Sequence, residues 1–514
     1  MNVWEKAVLG IAFFLFVPII LLLCYADFSE SQVWNHIYEN LLFQYSINSI
    51  GLLLGVCLIS FVIAFPAAYI ISTYQFKGRK FLRWGLMLPL TIPSYIMAYT
   101  YAGIFDYTGM VHQMLAVFSS KTKFAWDIMH PVGLSILLAF CLYPYLYIIL
   151  LGFFSRQSAR YIEAAQILGL KPLAVIGKVV LPLSRPAIFA GSALIMMELL
   201  NDYGAVKYFG FTTFTTGIFK AWFSMGDSGA GLKLAIVLLI VAGLVVMLEK
   251  KSRSQMRFTS AKDNTVRGLM QLKSLQGCFF KIFLWLIFLL AFVLPLLQLM
   301  LWACAEISYF STDLIGLVFQ SGMISCIISL LILIIALILV FGGRISQKLW
   351  MKSVLEISTI GYAIPGAVIA VCILIPFTNL GIWMNEAFIT LGFGYLFRFL
   401  AVGYNGLEAI SEKTSSRIDE AARVLGLNYN KILGQILLPV WQPAIIAAFL
   451  MLFIDMIKEL PLTLILRPFN YDSLATKTFE LASDELLEQA AWPALMIILM
   501  GAGVSWILNK TITK

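Results

Sequence analysis

Residues 163–188 read EAAQILGLKPLAVIGKVVLPLSRPAI, and residues 420–445 read EAARVLGLNYNKILGQILLPVWQPAI. Glu163, Ala164, Ala165, Leu168, Gly169, Leu181, Pro182, Pro186, Ala187 and Ile188 recur as Glu420, Ala421, Ala422, Leu425, Gly426, Leu438, Pro439, Pro443, Ala444 and Ile445. Each pair is 257 residues apart, with no gap between the first Glu and the last Ile. Register held over so long a stretch marks an internal duplication.

The likeness extends outward from there. Arg160 matches Arg417, Glu198 matches Asp455, Asp202 matches Glu459 and Lys220 matches Lys477, all at the same separation. Further upstream, Pro93 in LPLTIPS matches Pro365 in IGYAIPG at a separation of 272. The first half therefore carries extra residues before its copy of the motif, and the polar segment 106–131 is the natural place for them.

Composition sets the solvent. The 514 residues are 61% hydrophobic and 12% charged, with a mean hydropathy of +0.90. A soluble chain carries about 25% charged residues, so this is a polytopic membrane protein. Twelve apolar runs of helix-spanning length lie near 8–25, 46–73, 84–105, 132–152, 187–204, 231–248, 279–302, 318–341, 353–376, 387–407, 442–462 and 490–508. Backbone groups in lipid must be satisfied internally, and these runs are too long and too evenly apolar for barrel strands. The expectation is all-α: about twelve transmembrane helices in two parallel six-helix repeats.

The net charge of +9 does not point to nucleic acid, because the basic residues follow topology. Most of the 36 Lys and Arg fall in 74–83, 153–186, 249–281, 342–352, 408–441 and the two termini. Basic loops stay cytoplasmic, which places both termini and both motif copies on that side. The N-terminal apolar run lacks a convincing cleavage site and reads as a retained helix. Residues 1–248 form the first repeat, 249–278 a basic cytoplasmic linker beside the bilayer, and 279–514 the second repeat. Their parallel sense implies a pseudo-twofold along the membrane normal.

Enzymatic signatures are lacking. The seven Cys show no CxxC or metal-ligand spacing and read as packing residues. The three His form no HExxH pair, and no GxxxxGK[ST] loop occurs. Energy for any transport must come from a partner.

Two polar features carry the functional reading. RYIEAAQILGL is helix-forming, Gly169 is suited to closing a short helix, and Leu181-Pro182 is expected to stop the following one. Two short helices with a tight Gly corner would make a lever. Ala164 and Ala165 let it sit against a surface, and Glu163 offers a charge. The fifth span of each half carries carboxylates in an apolar run, Glu198 with Asp202 and Asp455 with Glu459. Intramembrane carboxylates usually face a bundle interior or an aqueous path. At i, i+4 spacing each pair shares a helix face and supplies hard oxygens suited to a hard cation. The competing reading makes them struts, neutralised or hydrogen-bonded by Lys458 and Asn201.

The paired stretches resemble the EAA loop of permease subunits of ATP-binding-cassette importers. Val179 stands where that pattern has Ile, and Ile436 keeps it. The duplication is similar to the fused, twelve-span, type I permeases of the ferric-iron kind, which are related to thiamine permeases. MELLNDYGAVKYFGFTTFTTGIFKAWFSMGD (197–227) and DMIKELPLTLILRPFNYDSLATKTFELASDE (455–485) carry the likeness to the iron type. It implies that Glu163, Ala164, Ala165, Gly169, Pro182, Glu420, Ala421, Ala422, Gly426 and Pro439 couple to an ATPase. It further implies two copies of that ATPase, a periplasmic or extracellular ferric-iron-binding protein as partner, and a bacterial cytoplasmic (inner) membrane. On this reading the chain binds no cofactor, ATP is used by the partner, and Fe3+ passes transiently by the path carboxylates. Thiamine is the alternative cargo, and an ion-gradient-driven transporter the more distant alternative.

Overall fold

The computed structural model describes residues 3–25, 31–113, 127–156, 164–165, 167–256, 270–272, 275–310, 312–346, 348–379 and 387–512. Glu163, half of the 106–131 segment and half of the 249–278 linker lie outside them. Among the described residues the chain is all-α, apart from a parallel two-residue ladder that pairs Tyr74–Gln75 with Met270–Gln271.

Among the described residues eight helices are long and apolar enough to cross a membrane. In the first half they are α2 (Gln32–Thr73), α5 (Pro131–Arg156), α6 (Ile176–Asn201) and α9 (Ser228–Met256). In the second half they are α10 (Gly277–Ala305), α11 (Thr312–Ile345), α16 (Tyr429–Ile457) and α19 (Leu487–Ile512). α1 (Val3–Tyr25) and α14 (Ala387–Lys413) fill two further expected spans.

The remaining two expected spans, 84–105 and 353–376, are not continuous. The first divides into α3 (Arg79–Gly85), a 3-10 turn and α4 (Ser94–Phe105). The second divides into α12 (Leu349–Ser358), a 3-10 turn and α13 (Gly366–Asn379). Pro93 and Pro365 cause both breaks. Each disfavours helical backbone in the residue before it, and Ile92 and Ile364 are accordingly extended, at ψ 111° and 125°.

Proline acts differently at Leu181-Pro182, where the helix is expected to stop, and at its copy Leu438-Pro439. Both helices continue instead. The turn ahead widens to i→i−5 bonding over Ile176–Val180 and Ile432–Leu437. In the first copy Leu181 N–H reaches the carbonyl of Ile176. Widening shifts the bonding register, so the missing proline N–H leaves no break in the helix. Leu294-Pro295 follows a third such turn, at Leu289–Val293.

The duplication holds in detail. Ser49 Oγ on α2 accepts from Phe214 N at 3.2 Å, and Ser321 Oγ on α11 accepts from Leu474 N at 3.0 Å. Each acceptor fixes the start of a short helix, α8 (Phe214–Phe219) or α18 (Leu474–Ser483), which also opens with a capping box. The boxes, Thr213 with Thr216 and Ser473 with Thr476, set a separation of 260 here. That corrects one sequence match, since Lys220 corresponds to Glu480 and not to Lys477.

The first helix of each repeat leans on the other repeat. α1 packs against α11, α12 and α13. Trp4 meets Phe341 edge-on, with ring centroids 4.8 Å apart, and Glu5 pairs with Lys348 at 2.9 Å. Reciprocally, α10 reaches α4 and α19. Trp285 stacks on Phe81 at 5.7 Å, and Tyr101 Oη donates to the carbonyl of Leu290.

Candidate functional site

Two polar constructions stand at opposite ends of the same helices. At one end is the duplicated motif. α15 (Arg417–Val424) closes at Gly426, which sits at φ 82°, and Gly169 sits at φ 81° in the first copy. Each corner is sealed by the same wrap-around bond: Leu427 N–H to the Ala422 carbonyl and Leu170 N–H to the Ala165 carbonyl, both 3.1 Å. This six-to-one bond requires a left-handed residue, which is why glycine stands there.

Ala165 and Ala422 face inward, at 6% and 3% exposure, while Ala164, Ala421 and Glu420 face out. Pro182 is half-buried and Pro439 exposed, both at the start of the straight run of their helices. The sequence reading overlooked the corner's outer residues. Ile167 and Leu168 are 85% and 82% exposed, and their counterparts Val424 and Leu425 are 88% and 82% exposed. Both corners thus bare a pair of large apolar side chains at equivalent positions, and the repetition of Leu-Gly was the available signal.

The second corner is held from below by Arg344 at the end of α11. Its guanidinium pairs with Asp419 at 2.6 Å and donates to the carbonyls of Ser411, Thr414 and Ser415 at 2.6, 2.9 and 3.1 Å. Trp441, fully buried, donates Nε1–H to Thr414 Oγ1 at 3.1 Å.

At the other end lie the four carboxylates. They do not share helix faces as the i, i+4 spacing implied, because α6 ends at Asn201 and α16 at Ile457. Asp202 and Glu459 therefore lie just past the helix ends, where each caps the next short helix. Asp202 Oδ1 accepts from Ala205 N at 3.1 Å ahead of α7 (Gly204–Tyr208). Glu459 Oε1 accepts from Leu462 N at 3.3 Å ahead of α17 (Pro461–Leu466).

The carboxylates converge where the halves meet. Tyr362 Oη donates to Glu198 Oε1 at 2.5 Å, and Gly366 N–H donates to Asn201 Oδ1 at 2.6 Å. A Cβ on Gly366 would stand 2.7 Å from Glu459 Oε1, so glycine permits the approach. Lys458 pairs with Asp455 at 2.8 Å and Arg398, on α14, with Glu459 at 3.4 Å. Lys458 therefore does act as a strut, whereas Asn201 holds backbone across the interface.

Between these groups is a cavity of about 90 Å³, walled by Tyr95, Cys141, Glu198, Asp202, Lys458 and Glu459 among others. It has room for several waters. In its wall three carboxylates, Glu198, Asp202 and Glu459, stand with one cation, Lys458, a formal excess of two negative charges. Among the described residues no three His, Cys, Asp or Glu are gathered closely enough to hold a metal. Sequence reasoning missed Tyr95, Tyr362 and Arg398, which come from other spans and show no local signal.

Motif and cavity are joined mechanically. α16 runs unbroken for 29 residues, about 43 Å at 1.5 Å per residue, from just after Gly426 to just before Lys458. α6 links the Gly169 corner to Glu198 in the same way.

Residues 60–251 match the family described as binding-protein-dependent transport system inner membrane components. Over those residues the chain resembles this permease family. It is 26% identical over 453 residues to the Fe(3+)-transport system permease protein FbpB 2 of Haemophilus influenzae, covering 86% of this chain and 85% of that one. It is also 33% identical over 141 residues to the sulfate transport system permease protein CysT of Salmonella typhimurium and 31% identical to that of Escherichia coli. Those matches span 27% of this chain and 49% of each relative.

Proposed function

We propose that this permease forms the membrane pathway of an ATP-driven importer of ferric iron in a bacterial cytoplasmic membrane. A binding protein outside delivers the iron. Two copies of a separate ATPase subunit seat against the two glycine corners, and both termini face the cytoplasm with them. The ATPase binds and hydrolyses ATP; this chain supplies the path and the levers.

The observation that carries the cargo reading is the charge of the cavity. An excess of negative charge in a low-dielectric bundle attracts a cation and repels a dianion such as sulfate. Likeness to the iron permease also covers 86% of the chain and so runs through both halves, whereas likeness to the sulfate permeases covers 27% to 40% of it. Closure of the ATPases pushes the corners, and the continuous helices carry that displacement to the carboxylates. The halves thereby rock between outward- and inward-open states.

The test is ATP-dependent uptake of radiolabelled ferric iron into proteoliposomes holding the chain, its ATPase and its binding protein. Sulfate and thiamine serve as competitors. Iron uptake unaffected by either supports the reading. Sulfate or thiamine uptake in place of iron keeps the importer and overturns the cargo, and uptake driven by an ion gradient without ATPase overturns the importer.

A further inference from the structure

We propose that Tyr95 supplies a ligand to the cation in transit, making the cavity a waypoint of hard oxygens from Tyr95, Asp202 and Glu459. The inference rests on the cation reading above and adds a residue and a ligand chemistry to it.

Tyr95 is 3% exposed, and its Oη has no hydrogen-bond partner among the described residues. Buried hydroxyls are rarely left so. Other deeply buried tyrosines of this bundle are satisfied: Tyr143 donates to the Leu86 carbonyl at 2.9 Å, Tyr147 to that of Arg83 at 3.2 Å, and Tyr395 bonds Thr463 at 2.6 Å. Tyr95 instead lines the cavity, with Glu459 near enough to interact electrostatically.

The pseudo-symmetry sharpens the point. The counterpart of Tyr95 is Ala367, and the counterpart of Arg398 is Cys141. Glu459 thus has its arginine, whereas Asp202, 9% exposed, has no ion-pair partner among the described residues. The unpartnered phenol and the carboxylate without an ion-pair partner both line the cavity.

Phenolate and carboxylate oxygens suit a hard, highly charged cation. On coordination the phenolic O–H bond breaks, its proton leaves to water, and an oxygen–metal bond forms with no change of oxidation state. The formal excess of two negative charges becomes three, which matches Fe3+. An organic cation could pair with a phenolate but forms no oxygen–metal bond.

The full chain in lipid nanodiscs, titrated with ferric citrate, tests this by the visible charge-transfer absorption that a phenolate gives iron(III). The band is expected in the wild type and absent in Tyr95→Phe, which keeps the ring. Asp202→Asn should weaken iron binding by about tenfold or more, which keeps the question answerable should Tyr95→Phe fail to fold. A wild type that imports iron yet shows no band, a band that survives Tyr95→Phe, or iron binding unmoved by Asp202→Asn overturns the waypoint and leaves the cargo reading intact. Absence of iron uptake by the wild-type importer overturns the cargo reading itself, and the waypoint with it.

Discussion

Arg398 Nε stands 3.4 Å from Glu459 Oε2, and 257 residues earlier, where the repeat would place a second arginine, the residue is Cys141. Both members of the pair are almost wholly buried, at 3% and 6% exposure. Removing one partner leaves the other charge uncompensated, which costs about 3–5 kcal/mol. Arg398→Met should therefore lower the unfolding midpoint of the purified chain markedly. Adding Glu459→Gln should recover most of the loss, since the amide oxygen can still accept from Leu462 N–H. Equal midpoints for the single and double variants would show that the pair is not what holds this corner.

Gly169 and Gly426 make a different prediction. A Cβ at either would meet nothing within 4 Å, so alanine there is opposed by backbone strain alone, about 1–2 kcal/mol. Gly426→Ala should leave the bundle folded but loosen the corner and reduce substrate-stimulated ATPase activity. Gly426→Asn, which tolerates left-handed backbone better, should retain more. Activity that falls equally with both would point to the absence of a side chain as the requirement.

The bare tips separate contact from folding. Val424 and Leu425 are exposed, so Val424→Ser with Leu425→Ser should leave thermal stability within about 0.5 kcal/mol of the wild type. Co-purification of the ATPase should drop sharply, and Ile167→Ser with Leu168→Ser should act alike. Retention of the ATPase by a chain carrying all four changes would remove the tips from the interface.

Arg344 is a positioning residue. Arg344→Gln loses the Asp419 pair and the fork that gathers three carbonyls, each charged bond worth about 1.5–3 kcal/mol. Amide exchange should rise across 411–424 and stay unchanged around α13. Uniform loss of protection would mean that Arg344 supports the whole bundle.

What could be read from the sequence was what is local or repeated. Duplication, helical spans and the glycine corners all follow from register, apolar run length and the backbone freedom of one residue type. Pro182 was misread because proline's effect depends on whether the preceding turn can widen, which no local pattern reports. Asp202 and Glu459 looked helical by spacing, yet each caps the helix after it. Tyr95, Tyr362 and Arg398 became visible only when spans far apart in the chain met. The shift of separation from 257 to 260 shows the same limit: a short insertion is invisible until Thr213 and Ser473 mark equivalent helix starts.

The exchanged placement of α1 has a consequence for biosynthesis. Its partners, α11 to α13, are translated about 300 residues later, and at about 5–20 residues per second the wait is roughly 15–60 s. This helix thus leaves the ribosome well before its partners and finds its seat only after them. A ribosome halted after the first repeat would leave Trp4 and Val8 facing lipid, where a quality-control protease could recognise an orphaned half.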